Sequence, residues 1–366
     1  MTRRYPSGRH RLTRRVFSAT ALAGGAALLG SRASSARQGT PAATPASGTP
    51  QVELGPSPGG SLTIYCGRNE ALVSDLMPIM AEATGIELDV RFGNTAELAA
   101  QILEEGDNTP AGLYFCQDAG ALGSLAHAER FIELPGDILG AVDAAYRSPD
   151  GVWLGLSGRV RVLLYNPNVT DPATLPASIL DLPQADLAGP IAWAPSNAPF
   201  QSFVTALRVW AGEDRARQWL EDVQASGVVT FDDNGPQIQA VASEEVAIGL
   251  VNHYYAFEAR EEDPDIPVEN YYFPDGDIGG LINVGGVGVI AGSGQEEQAL
   301  HVTRYLLGEQ AQTYFSEQTL EYPLASGIPA QPELVPLAEI QPPDIDLSDL
   351  ADLEGTLALL TDLRMI

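Results

Sequence analysis

From Ser61 onward, short apolar runs alternate with stretches of helical period. That alternation restricts the chain to an α/β architecture built on a largely parallel sheet. Residues 61–65 read as a strand, 70–84 as an amphipathic helix and 86–92 as the next strand. Asn94 with Glu97 forms a capping box for a helix reaching residue 105. Residues 113–116 make a strand and 120–127 a helix. A second series opens with the strand 160–165 and continues through a strand at 190–193, helices at 201–210, 214–224 and 237–243, and a strand ending at Val251. The Gly-rich apolar segment 279–290 suits a crossing between lobes. Helices follow over 296–315 and 347–363. The roughly 306 residues beyond position 60 suffice for two lobes, each with its own core.

The first 36 residues read as an export signal. They carry seven Arg and no acid, a mild apolar stretch at 19–29 and the small-residue pattern Ser34-Ser35-Ala36. Thr13-Arg14-Arg15-Val16-Phe17 resembles a twin-arginine motif, which implies folding before translocation. No Cys lies near the cleavage pattern, so a lipid anchor there is not expected. Residues 37–60 consist mostly of Gly, Pro, Ala, Ser and Thr and read as a disordered tether. All 20 basic residues are Arg. Setting aside the seven in the signal leaves 13 against 48 acids, a charge of −35. So acidic a surface disfavours nucleic acid and anionic membranes as partners.

Tyr254 and Tyr255 stand in Asn252-His253-Tyr254-Tyr255, directly after the apolar run 247–251. Phenolate is a hard oxygen donor suited to a hard, highly charged cation, for which Fe(III) is the obvious candidate. Ionising a phenol at neutral pH takes a shift of roughly three units, on the order of 4 kcal/mol, and a multivalent cation readily supplies it. Paired aromatics at a strand end also pack or hydrogen-bond with no ligand, so two readings stand for the pair. Tyr271-Tyr272, with no matching motif, reads as core or rim.

Five segments together resemble the periplasmic ferric-ion-binding proteins of ABC importers. They are Leu62-Thr63-Ile64-Tyr65-Cys66-Gly67-Arg68-Asn69-Glu70, the run 98–106, Leu156-Ser157-Gly158-Arg159-Val160-Arg161, the run 251–255, and Glu321-Tyr322-Pro323-Leu324. Their order and spacing match over nearly all of residues 61–345. The resemblance implies a two-lobed periplasmic-binding-protein fold of type II, each lobe a mostly parallel sheet flanked by helices, with a cleft between. It places 61–158 with about 284–324 in the N-terminal lobe, and 159–283 with about 325–366 in the C-terminal lobe. It implies that Tyr254 and Tyr255 bind iron, that the chain is a monomer in the periplasm or on the outer face of the cytoplasmic membrane, and that its partner is a membrane permease.

The chain departs from that pattern in the first lobe. Where relatives carry a His ligand after the first strand it has Asn69, and where they carry a Glu after the third strand it has Gln117. The third tyrosine that some relatives use is absent from Ser196-Asn197-Ala198-Pro199-Phe200. The resemblance therefore implies that an exogenous anion, carbonate or phosphate, completes the site. Ser196, Asn197 and Ala198 precede a helix whose positive end could hold that anion, or they form an ordinary cap. Arg68 offers a planar fork to the anion from the first lobe, and Asn234 and Asn252 are supporting donors. Asp118 is the fallback carboxylate. Arg159 and Arg161 flank the lobe crossing and steady the hinge or pair with acids, and His253 is structural rather than a ligand.

Cys66 and Cys116 end the first and third strands, which neighbour one another in a 2-1-3 order. They form a disulfide at the floor of the site, remain free thiols, or bind a soft metal. An enzyme is not expected. The histidines beyond the signal, His127, His253 and His301, are scattered, and neither Gly-x-Ser-x-Gly nor His-Glu-x-x-His occurs. The alternative to iron is a receptor on the same scaffold for an organic anion or another small polar solute.

Overall fold

The structure is a computed structural model that describes residues 52–366. The expected export signal and the tether up to residue 51 lie outside the described residues. Ten strands are present among them: β1 (Ser61–Cys66), β2 (Glu87–Phe92), β3 (Leu113–Cys116), β4 (Trp153–Tyr165), β5 (Ile191–Trp193), β6 (Val228–Thr230), β7 (Ile248–Asn252), β8 (Glu269–Tyr271), β9 (Ile282–Val289) and β10 (Tyr322–Pro323). They run in the order β2-β1-β3-β9-β4-β7-β5-β6, with β8 and β10 also pairing β4. The flanking pairs β1–β2, β1–β3, β5–β6 and β5–β7 are parallel. Every antiparallel pair involves β4 or β9.

The long strand β4 makes the molecule two-lobed. All thirteen of its residues are buried, as expected of a strand covered on both faces. Up to Val160 it pairs with β9, and from Arg161 it pairs with β7. The first half thus belongs to the sheet β2-β1-β3-β9 and the second half to β7-β5-β6. The expected lobe division between 158 and 159 falls inside this strand. Chain segments leaving β1, β3 and β7 meet residues 157–161: Arg68 donates to the Ser157 hydroxyl, Arg159 reaches the Gln117 carbonyl and His253 accepts from the Val160 N–H. In α/β sheets ligands bind in the crevice outside the carboxyl ends of strands.

The C-terminal tail touches both lobes. A 3₁₀ stretch, Leu347–Ala351, lies on the first-lobe helix Ala119–His127. There a Cβ on Gly120 or Gly123 would fall 2.3 or 2.1 Å from the carbonyls of Leu350 and Ser348, so only glycine permits the approach. The final helix, Leu353–Asp362, meets the second-lobe helix Ala198–Ala211 through the Thr205 and Thr356 hydroxyls, 2.7 Å apart, and through Arg208, which donates to the Asp352 carbonyl at 2.9 Å. At the other end, the tether's last residues lie along the first lobe. Val52 and Leu54 are partly buried against the core, and the Gly60 carbonyl accepts from the Glu87 N–H at 3.0 Å.

The expected disulfide is not formed. Cys66 and Cys116 are free and buried. The strands are neighbours in the expected 2-1-3 order, but Cys66 pairs with Phe115, so Cys116 stands one residue further on. Successive side chains alternate across a sheet, so the two sulfurs point to opposite faces. Burial pushes the Cys66 thiol up to about 11 and the Cys116 thiol up to about 12, which leaves both protonated and poor nucleophiles or ligands.

Candidate metal centre

Tyr254 and Tyr255 occupy the first turn of the helix Tyr254–Glu262, which starts directly after β7 with only His253 between. Their rings lie 4.4 Å apart, inclined by 32°. Burial holds the Tyr254 phenol well above its ordinary range, and the charge and hydrogen bond of Tyr255 push it the same way, while Arg159 pulls it down. Without a cation Tyr254 is therefore a neutral phenol. A bound cation would have to displace its proton.

His253 sets where this turn begins. Its ring is wholly buried and its Nδ1 accepts from the Val160 N–H at 3.2 Å. The protonated nitrogen is therefore Nε2, which donates to the Leu320 carbonyl at 3.0 Å. The His253 N–H in turn donates to the Val160 carbonyl at 2.9 Å, and Asn270 donates to the His253 carbonyl at 2.8 Å. Burial drives the imidazole down to about 4, so it stays neutral at physiological pH. With both ring nitrogens engaged, it pins the tyrosine turn to β4 and to the segment before β10.

Beside the pair lies a buried charge cluster. Arg68 donates to Glu321 at 2.7 Å and to the Ser157 hydroxyl at 3.1 Å, and packs over the Phe115 and Phe315 rings at 5.6 and 5.7 Å. This corrects the expectation that Arg68 offers a fork to an anion. The side chain turns inward, because Glu321 is buried and takes it as counter-ion. Burial alone would raise the Glu321 carboxyl, but Arg68, Arg159 and the Ser157 hydroxyl outweigh it and hold the group below the usual carboxylate range. Arg159 reaches the Gln117 carbonyl and stands 3.9 Å from Glu321. Arg161 donates to Asn252 Oδ1 at 3.3 Å and to the Leu250 carbonyl at 2.9 Å.

Of the remaining first-lobe positions, Asn69 and Asp118 are engaged and Gln117 is not. Asn69 is exposed and caps a short helix by accepting from the Ala71 N–H at 3.0 Å. Gln117 keeps a buried side-chain oxygen without a partner. Asp118 accepts from the Gly120 N–H at 2.8 Å, from the Asn283 amide at 2.6 Å and from the Ser202 hydroxyl at 2.6 Å. As a fallback metal ligand it is thus already committed. Its bond to Ser202, on the Ala198–Ala211 helix, ties the two lobes together.

Across the crevice the second lobe leaves groups open. Asn197 is the residue before the Ala198–Ala211 helix, yet its side chain makes no capping bond and donates instead to Asp233. The ordinary-cap alternative is therefore not realised, and the helix start stays without a side-chain cap. Ser196 is exposed, and its hydroxyl lies 3.4 Å from the Asp232 carbonyl. Asn234 is buried, accepts from Gln237 at 3.1 Å and keeps its Nδ2 without a partner. Of the control pair, Tyr271 donates to the Pro176 carbonyl at 3.1 Å, a packing role. Glu321, Ser202, Asn283 and Asp233 were not singled out as functional from the sequence. Glu321 was traceable, since Arg68 and Arg159 both need an acid and it opens one of the five recognisable segments. Among the described residues no three His, Cys, Asp or Glu side chains gather as a metal site, so the soft-metal alternative lacks a donor set.

The sequence profile of the bacterial extracellular solute-binding proteins matches residues 115–346. An Fe(3+)-binding periplasmic protein of Serratia marcescens is 31% identical over 292 residues, covering 79% of this chain and 86% of that protein. Among solved structures, the iron-bound HitA of Pseudomonas aeruginosa superposes with a TM-score of 0.73 at 31% identity, covering 83% of this chain and 99% of its own. The Trichodesmium IdiA (FutA) protein in complex with iron and citrate ligands gives 0.73 at 27% identity, covering 83% and 99%.

Proposed function

We propose, from the premise that the chain belongs to the bacterial extracellular solute-binding protein family, that it captures ferric iron between its lobes and hands it to the membrane permease of an ABC importer. The observation that carries this reading is the tyrosine pair: two stacked phenols at the start of a helix, where β4 passes from one lobe to the other. Hard oxygen donors in a crevice suit a hard trivalent cation. The names of the Serratia and Pseudomonas relatives support the same cargo.

Two phenolates leave a ferric ion short of charge and of ligands. A synergistic anion, carbonate or phosphate, completes the shell in this reading, held at the uncapped helix start by Ser196, Asn197 and Ala198 with help from the Asn234 and Asn252 amides. Asn69, Gln117 and Asp118 serve closure rather than ligation, and Arg68 has no part in the anion site. The iron is released outside the cytoplasm to the permease. Export by the twin-arginine pattern of residues 1–36, and action as a monomer, belong to this proposal as well.

Titrating the purified chain with ferric citrate at neutral pH tests it. One equivalent of iron should develop a phenolate-to-iron absorption band, and Tyr254→Phe with Tyr255→Phe should remove it without unfolding the protein. A wild-type chain that stays colourless would move the assignment to an organic anion or another small polar solute.

A further inference from the structure

Past β10 the chain crosses both lobes, and its last two attachments fall on different ones. The 3₁₀ stretch Leu347–Ala351 is held on the first lobe. Its Ser348 and Leu350 carbonyls face Gly123 and Gly120 of the Ala119–His127 helix, Leu347 and Leu350 are buried, and the Ser348 hydroxyl accepts at 3.2 Å from Trp153 Nε1, at the start of β4. The helix Leu353–Asp362 is held on the second lobe. Arg208, buried on the Ala198–Ala211 helix, donates to the Asp352 carbonyl at 2.9 Å, to Asp352 Oδ2 at 2.8 Å and to the Thr356 hydroxyl at 2.8 Å. Asp352 Oδ1 accepts in turn from the Gly355 N–H at 2.9 Å.

Asp352 alone separates the two attachments. One residue spans at most about 3.6 Å, so the Ala119–His127 and Ala198–Ala211 helices cannot draw far apart here unless one attachment lets go. They are also the helices joined by the tie at 2.6 Å between Asp118, which caps the first, and Ser202 on the second. A single hydrogen bond can break and re-form as two lobes open and close, whereas a covalent crossing persists. We infer that the C-terminal tail is a strap across the joint between the lobes, with Asp352 as its pivot, which bounds how far they open and brings Ser202 back to Asp118 when they close. No ligand of the crevice enters this inference, so it stands for any cargo.

The rival role for the tail is to complete the packing of each lobe separately. Lengthening the crossing distinguishes the two, because Gly-Ser-Gly-Ser inserted between Ala351 and Asp352 keeps both attachments and adds up to roughly 14 Å of reach. The readout is the distance between spin labels on Glu104→Cys and Arg215→Cys, measured by pulsed electron resonance in the iron-free protein. Both positions are exposed, they lie on the helices Thr95–Glu105 and Glu213–Ser226 that pack on the two strapped helices, and the native thiols are buried. With a strap, the insertion should lengthen the mean distance and broaden its distribution while the melting temperature stays near that of the parent. Gly123→Ala, whose Cβ would drive the Ser348 carbonyl off the helix, should release the first-lobe end and broaden the distribution in the same way. An unchanged mean and width after the insertion would leave the tail with packing alone and overturn the inference. Should the lengthened chain fail to fold, Gly123→Ala decides by the same readout, and an unchanged distribution there overturns the strap. Ferric binding plays no part in either outcome, so a failure of the iron reading and a failure of this one are told apart.

Discussion

The two walls of the crevice are built from similar residue types and do opposite things with them. On the first-lobe side, Arg68, Asn69 and Asp118 are engaged by Glu321, a helix end and a cross-lobe tie. On the second-lobe side, the tyrosine pair, the Asn234 amide and the uncapped start of the Ala198–Ala211 helix remain open. A polar group already satisfied gains little from a ligand, while an open one gains the full bond. On the proposed reading, the second lobe supplies the ligands and the first lobe serves closure.

The sharpest way to break that contrast is to remove the phenols. Tyr254→Phe with Tyr255→Phe should drop ferric binding below detection by absorbance titration, whereas Asn69→Ala, on the other wall, should leave it intact. Comparable losses would end the asymmetry. Next in size is Glu321→Gln, which strands Arg68 in the core. Losing one partner of a buried pair costs about 3–5 kcal/mol, measurable by urea unfolding of the iron-free protein, and a loss under about 1 kcal/mol would mean that solvent reaches the cluster.

The pin between the walls gives a pH dependence. His253 titrates near 6.5 when unfolded and at about 4 when folded. The unfolded chain therefore takes up the proton first, and stability present above pH 6.5 drains away as pH falls toward 4. At ~1.4 kcal/mol per unit the upper bound is on the order of 3 kcal/mol. His253→Gln should flatten the stability profile in that window, and an unchanged slope would show that the imidazole is wet. Iron retention should fall in the same direction, since protons compete for the phenolates.

The smallest effect concerns closure. Asp118→Asn weakens the tie to Ser202, a charge-assisted bond of about 1.5–3 kcal/mol. It should speed iron release while leaving the absorption band where it is. A shifted band would mean that Asp118 touches the metal after all.

Much of this was legible along the chain. Strand and helix alternation, the Asn94 cap, which accepts from Ala96 and Glu97 at 2.9 and 3.3 Å, and the 2-1-3 order all appear in the structure. The first two rest on periodicity and on a residue's own backbone neighbours, and the strand order on the doubly wound topology that the alternation implies. The helix expected over 70–84 breaks into Glu70–Val73 and Leu76–Thr84, and the one expected over 296–315 breaks at Gly308. Runs of two or three residues carry little pattern: β5 is anticipated at 190–193, while β6, β8 and β10 are not.

By itself the sequence determined the alternating elements, the two-lobe length and the adjacent phenols, since all of these depend on residues close together in the chain. Tertiary structure decided the rest. Whether Arg68 meets an anion or Glu321, 253 positions away, depends on which buried acid the fold brings to it. Whether Cys66 meets Cys116 depends on a register of one residue, and strand alternation turns that single step into opposite faces of the sheet.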